Sequence, residues 1–136
     1  MTLVIDASVW VAIFWPDDPR HAVSRAWIER QVNSEEELLI PTLALPEVAG
    51  PIRRRTGAQI LAQQAVNAML DLPGVTVIPI TEELGKLSGE LAGVLSLKGG
   101  DAVYAALALM ESIPLVSWDQ EHIERCPNRI AARTPD

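Results

Sequence analysis

Asp6, Glu47, Asp101 and Asp119 are the residues of this chain whose types and positions could do chemistry together. Each stands where a short apolar run gives way to a turn, or where a helical pattern begins. Singly, an acid at such a position caps a helix or faces water. Jointly the four pose an electrostatic problem if the fold collects them. Carboxylates about 5 Å apart repel by roughly 3 kcal/mol per pair at an effective dielectric near 20. Six pairs approach about 20 kcal/mol as a crude upper figure, more than the roughly 5–15 kcal/mol that holds a small domain together. Protonation or a divalent cation relieves this, and the cation is the reading adopted here.

Oxygen ligands with no histidine or cysteine among them suit Mg²⁺ or Mn²⁺ and disfavour zinc. A site with more acids than one Mg²⁺ needs can hold two ions, or use the spare acid to orient water. Hydrolysis of a phosphodiester fits best, with metal activating the attacking water and stabilising the leaving oxygen. Ser8 and Ser117 each stand two residues from an Asp, where a hydroxyl can donate to a carboxylate and keep it ionised and oriented. Neither has a histidine placed to make it a nucleophile. Lys98, three residues before Asp101, and the run Arg53-Arg54-Arg55 are candidate RNA contacts. His21 and His122 read as surface polar residues, without the carboxylate partner or paired spacing of a base or ligand.

The elements that must position these groups alternate. Strand-like runs at Leu3–Ile5, Leu38–Ile40, Val75–Ile80 and Leu115–Trp118 are separated by helical patterns, and Arg129–Arg133 reads as a fifth, edge strand. Ala7–Trp15 is apolar nearly all round, which requires burial in the core or in a subunit interface. Asp18-Pro19 opens a helix to about Val32 with Val23, Trp27 and Ile28 inward. The next helix, from Thr42, carries Pro51, where a kink or break is expected. In the helix over Gly57–Leu72, the stripe Leu61, Ala65, Met69 and Leu72 faces the core. Thr81 caps a helix to about Leu95, and Gly99-Gly100-Asp101 opens another to about Glu111. Such alternation predicts an α/β fold in three layers, α/β/α, around a mainly parallel sheet of about five strands. In such sheets ligands sit outside the carboxyl ends of the strands, where Asp6 and Asp119 fall.

A chain of 136 residues, 49% hydrophobic and 21% charged, is expected to form a single globular domain over residues 1–136. One cysteine, Cys126, rules out an intrachain disulfide framework and fits a reducing cytoplasm. No apolar run near the N-terminus is long enough to span a membrane. The net charge of −7 opposes broad nucleic-acid affinity. Metal at the acids and the clustered arginines would leave room for a local basic patch.

Leu-Val-Ile-Asp6-Ala-Ser8, Leu-Ala-Leu-Pro-Glu47-Val-Ala, Lys98-Gly-Gly-Asp101-Ala-Val-Tyr and Leu-Val-Ser117-Trp-Asp119, in this order, resemble the PIN domain. More narrowly they resemble the VapC toxins of type II toxin–antitoxin pairs. The resemblance spans nearly the whole chain. It implies a metal-dependent endoribonuclease whose Asp6, Glu47, Asp101 and Asp119 hold one or two Mg²⁺ or Mn²⁺. It further implies a homodimer, a cognate antitoxin protein, and a structured RNA substrate such as a tRNA or rRNA loop. Many relatives carry arginine where Lys98 stands, so the charge survives without the bidentate fork. Two other readings stand beside it: a PIN nuclease of RNA processing, and a catalytically silent module that keeps the fold for protein contacts. Phosphatases with an aspartyl nucleophile usually carry a second Asp two residues on, where this chain has Ser8.

Overall fold

Leu3, Val4 and Ile5 are wholly buried because theirs is the middle strand of the sheet. In the computed structural model, which describes residues 1–126 and 130–136, β1 (Thr2–Ile5) is flanked by β2 (Glu37–Pro41) and β4 (Leu115–Val116). Outside these lie β3 (Val75–Ile78) and β5 (Ala132–Arg133), giving the order β3-β2-β1-β4-β5 with every pairing parallel. The chain steps from β1 through β2 to β3 on one side, then crosses to lay β4 on the other side of β1. That reversal opens a crevice between the carboxyl ends of β1 and β4, the usual ligand position in such sheets. Arg129, the expected start of the fifth strand, lies outside the described residues.

Among the described residues seven helices connect the strands: α1 (Ala7–Phe14), α2 (His21–Asn33), α3 (Ala44–Thr56), α4 (Gln59–Asp71), α5 (Glu82–Leu95), α6 (Gly99–Glu111) and α7 (Gln120–Arg125). The result is the three-layer α/β/α arrangement that the alternating pattern predicted. Thr81 caps α5 by accepting the N–H of Leu84, as its position indicated. α6 packs on α5 and on the central strands, which is why Ala102 and Tyr104–Ala108 are all buried. Among the described residues no single helix is long and apolar enough to cross a membrane.

Of the two alternatives for α1, burial in the core holds: Ala7, Val9, Trp10, Val11, Ala12 and Ile13 are buried inside this one chain, with α2 and α3 packed against the helix. Other expectations need correction. Trp10 is fully buried and stacks on Phe14, whereas Phe14 and Trp15 are only partly covered. α2 starts at His21 rather than at Asp18, whose carboxylate instead accepts the N–H of Arg20 in the preceding turn. Val23 is 48% exposed, and the core side of α2 is Ser24, Trp27 and Ile28. On α4 the buried stripe is Ala62, Ala65, Val66 and Met69, with Leu61 45% exposed. The apolar arc there is wide enough to fit two rotations, and α4, packed on α3, turns the Ala62 and Val66 side inward.

α3 runs through Pro51 without a break. Proline removes one backbone bond to the carbonyl of Glu47 and brings its ring against that turn. Pro51 lies on a face that lines a cleft, so the ring meets open space there. α3 then closes on Gly57, whose φ of 71° is left-handed, with its N–H bonded to the carbonyl of Arg53.

Candidate metal centre

Asp6 ends β1 and Asp119 follows β4, so the reversal of strand order sets them side by side at the sheet's carboxyl edge. Each caps a helix through one oxygen. Asp6 Oδ2 accepts the N–H of Ser8 at 3.1 Å, and Asp119 Oδ1 accepts that of Glu121 at 2.8 Å. Capping fixes both carboxylates without consuming all their lone pairs, so the structural and chemical readings of these acids are compatible. Asp101 comes from the first turn of α6, and Glu47 from the first turn of α3. All four line one cleft of about 580 Å³.

Glu47 reaches the cleft by lying against the start of α6. A Cβ added at Gly100 would sit 2.7 Å from Glu47 Oε2, so glycine is required for this approach. Gly100→Ala should therefore push the Glu47 carboxylate aside. The expected outcome is a fold intact by circular dichroism with metal affinity about 10–100-fold weaker, the range for perturbing a ligand's immediate support. An unchanged Mn²⁺ titration would contradict it.

The serines divide their roles. Ser117 Oγ is buried and donates to Asp6 Oδ2 at 3.1 Å, while accepting the N–H of Asp119 at 2.9 Å. One hydroxyl thus orients two of the acids. The hydroxyl of Ser8 touches no carboxylate. It accepts the N–H of Trp118 at 3.0 Å and approaches Ser117 Oγ at 3.4 Å, leaving its backbone to hold Asp6.

His122 is the main correction to the sequence reading. It is 0% exposed, not a surface residue, and lies beneath the acids, with Nδ1 3.9 Å from Asp6 Oδ1 and Nε2 3.9 Å from Asp101 Oδ1. One ligand atom each from Asp6, Asp101 and His122 fit within 4.8 Å of one another. The premise that no histidine accompanies the acids is therefore wrong. Both ring nitrogens are nonetheless engaged, by Ser117 Oγ at 3.1 Å and the Asp101 carbonyl at 2.9 Å, so the groups turned to the cleft remain oxygens. His21 is half-buried and bonds through Nδ1 to the carbonyl of Ala12 at 2.8 Å, away from the acids. Cys126 is buried, and burial, followed by the charge of Asp101, pushes its thiol pKa up.

The electrostatics are those of a site missing positive charge. Burial, opposed by His122 and reinforced by Asp6, Asp119 and Glu47, pushes the Asp101 carboxyl up to about 6. Burial also raises Glu47, with Tyr104 nearby acting against it and Asp6 adding to it. The buried Asp101 Oδ2 and Tyr104 hydroxyl have no hydrogen-bond partner among the described residues. The Tyr104 hydroxyl nears Glu47 without closing a bond of standard length, and burial followed by the charges of Asp6 and Glu47 strongly disfavours its ionisation. Buried orphan oxygens among strained acids fit a bound cation and its waters.

The rim of the cleft is basic. Arg54 and Arg55 line it, while Arg53 and Lys98 are exposed and contribute nothing to its wall. Two further residues enter that the sequence did not single out. Arg20 lies over the Trp118 ring at 4.9 Å, and Asp18 is 3.9 Å from Arg55, whose guanidinium stacks on Trp15 at 4.8 Å. Trp118 is held by its indole N–H, which donates to Ser24 at 2.9 Å. No residue pattern could have paired Arg20 with Trp118, since they meet only through the fold.

Residues 3–127 match the model of the PIN domain, and the chain belongs to that family, whose members are nucleases. Its fold is similar to that of VapBC2 from Rickettsia felis bound to a promoter DNA fragment, at 16% identity and a TM-score of 0.77 over 100% of both chains. It is also similar to VapC20 of Mycobacterium tuberculosis, a toxin that cleaves the sarcin–ricin loop. That match has 20% identity and a TM-score of 0.75, covering 90% of this chain and 93% of the other. FitAcB from Neisseria gonorrhoeae matches at 15% identity and a TM-score of 0.64 over 98% and 97%. No curated protein matches the sequence.

Proposed function

We propose that this protein is a metal-dependent endoribonuclease and the toxin of a type II toxin–antitoxin pair, acting in the cytoplasm. The observation that carries this reading is the convergence of four carboxylates from distant parts of the chain at the crevice between β1 and β4. Asp6, Glu47, Asp101 and Asp119 would hold one or two Mg²⁺ or Mn²⁺. When bound, such an ion lowers the pKa of water and stabilises charge on phosphoryl oxygens. Ser117 and the backbone of Ser8 hold Asp6 aimed into the cleft. Arg54 and Arg55, at the rim, neutralise flanking RNA phosphates and set the strand across the acids. The presence of all four acids in one cleft argues against a catalytically silent module.

The toxin assignment draws support from neighbours described as VapBC toxin–antitoxin complexes and as a sarcin–ricin loop cleaving toxin. A structured RNA such as a tRNA or rRNA loop, a cognate antitoxin and a homodimer follow as parts of the proposal. The test is cleavage of total RNA by the purified protein. Cutting should require Mg²⁺ or Mn²⁺, stop with chelator, and leave 5′-phosphate and 3′-hydroxyl ends. Chelator-resistant cutting would exclude the metal mechanism.

The rim makes its own prediction about the arginine run. Arg54→Gln and Arg55→Gln should each lower the salt dependence of RNA binding by about one phosphate contact, measured as the slope of log K against log salt. Arg53→Gln, outside the cleft, should leave the slope unchanged. Equal effects from all three would show that the arginines act as a diffuse patch.

A further inference from the structure

We propose that His122 is a positioning residue, a buried imidazole that spans from Ser117 to the main chain of Asp101 and fixes the separation of Asp6 and Asp101 without ligating metal. The inference rests on the metal site proposed above. Its Nε2 lies 2.9 Å from the Asp101 carbonyl oxygen, which can only accept, so that nitrogen carries a hydrogen. Its Nδ1 lies 3.1 Å from Ser117 Oγ, the hydroxyl that holds Asp6 and receives the N–H of Asp119. A continuous line of polar contacts, in which Ser117 shares its single hydroxyl hydrogen between Nδ1 and Asp6 Oδ2, therefore joins the start of α6, α7, the end of β4 and the end of β1. Three of the four acids are tied to it.

The ring has little freedom. It is fully buried, and Tyr104 sets an edge against it at 6.4 Å and 71°. Turning either nitrogen toward a cation would break one of its two bonds and leave the Asp101 carbonyl or the Ser117 hydroxyl short of a buried partner, a costly exchange. The 3.9 Å gaps to the nearest oxygens of Asp6 and Asp101 leave the imidazole behind the carboxylates rather than among the ligands. Without the strut, mutual repulsion would spread Asp6 and Asp101. A cation would then have to draw them together at the expense of its own affinity. Partners of this kind typically contribute about 10–100-fold in metal affinity.

The test is calorimetric titration of the metal-free protein with Mn²⁺, alongside thermal melts and ¹⁵N NMR of the histidine rings. His122→Ala should bind Mn²⁺ about 10–100-fold more weakly while still melting cooperatively. His122→Gln, whose amide can donate to the Asp101 carbonyl, should recover most of that loss. Ser117→Ala should lose affinity to a similar degree, and the double variant with His122→Ala should be no weaker than the worse single one, because both cut the same chain. Wild-type affinity in His122→Ala, a Gln variant no better than Ala, or additive losses would each overturn the strut. If His122→Ala does not fold, His122→Gln and Ser117→Ala decide, and wild-type affinity in Ser117→Ala overturns the proposal. Absence of Mn²⁺ binding by the wild-type protein would instead overturn the metal site. In that event the ¹⁵N spectrum judges the geometry alone: a hydrogen on Nε2 supports it, and an Nδ1–H ring with bare Nε2 refutes it.

Discussion

Induced expression should arrest growth, and Asp6→Asn and Asp101→Asn should each abolish that arrest and reduce RNA cleavage in vitro by roughly 10³-fold. Both substitutions keep the side-chain shape and remove a negative charge from a crowded site. Neither should unfold the protein. In Asp6→Asn the amide oxygen can still accept from Ser8 N and Ser117 Oγ, so the cap on α1 survives. At Asp101 the loss of charge relieves a carboxyl that burial and its neighbours already push up to about 6, so that variant should melt at or above the wild-type temperature when metal is absent. The informative result is thus a loss of activity without a loss of stability. Variants that remain equally toxic would remove these acids from the chemistry.

Metal removal gives the second large effect, and the sign of its pH dependence follows from Asp101. In the metal-free protein the folded pKa of about 6 exceeds the ordinary value of 3.8. The stability this group contributes is therefore complete below about pH 4 and lost as pH rises through about 6. A divalent cation should bind the ionised form and reverse that trend. At a Mn²⁺ concentration about 100 times its Kd near pH 7.5, binding should add about 2.7 kcal/mol, on the order of a 10 °C rise in Tm. Near pH 5, one unit below the Asp101 pKa, proton competition weakens affinity about tenfold and removes about 1.4 kcal/mol of that gain. Thermal melts with and without Mn²⁺ at the two pH values check this. Equal shifts at both would mean that the cation does not engage Asp101.

The acids were legible in the sequence because each is announced by local pattern. Asp6 and Asp119 end apolar strands, Asp101 follows a glycine pair at a helix start, and strand–helix alternation implies a parallel sheet whose loops share an edge. The order β3-β2-β1-β4-β5 then follows from a fold, not from any window of residues. His122 was hidden for a physical reason. A six-residue helix has too few turns for periodicity to reveal its inner face, and a histidine becomes a core residue only when other groups satisfy both nitrogens. The Asp101 carbonyl lies 21 positions away, and Ser117, though 5 positions before the ring, meets it only once the turn between β4 and α7 has formed. α1 was legible as wholly apolar, but not as buried within one chain, since that burial depends on α2 and α3 packing against it. α4 misled through size. Leu61 outranks Ala62 in hydropathy, yet Ala62 is buried and Leu61 is 45% exposed.

Each wall of the cleft is delivered by a different stretch of polypeptide, and the bond that closes it, Ser117 to Asp6, joins residues 111 positions apart. Translation delivers β1 first, so an emerging chain carries Asp6 long before its partners exist. Until β4 and α7 have formed, neither Asp119, Ser117 nor His122 can complete the cavity, so the order of the strands along the chain sets the order in which the site is assembled.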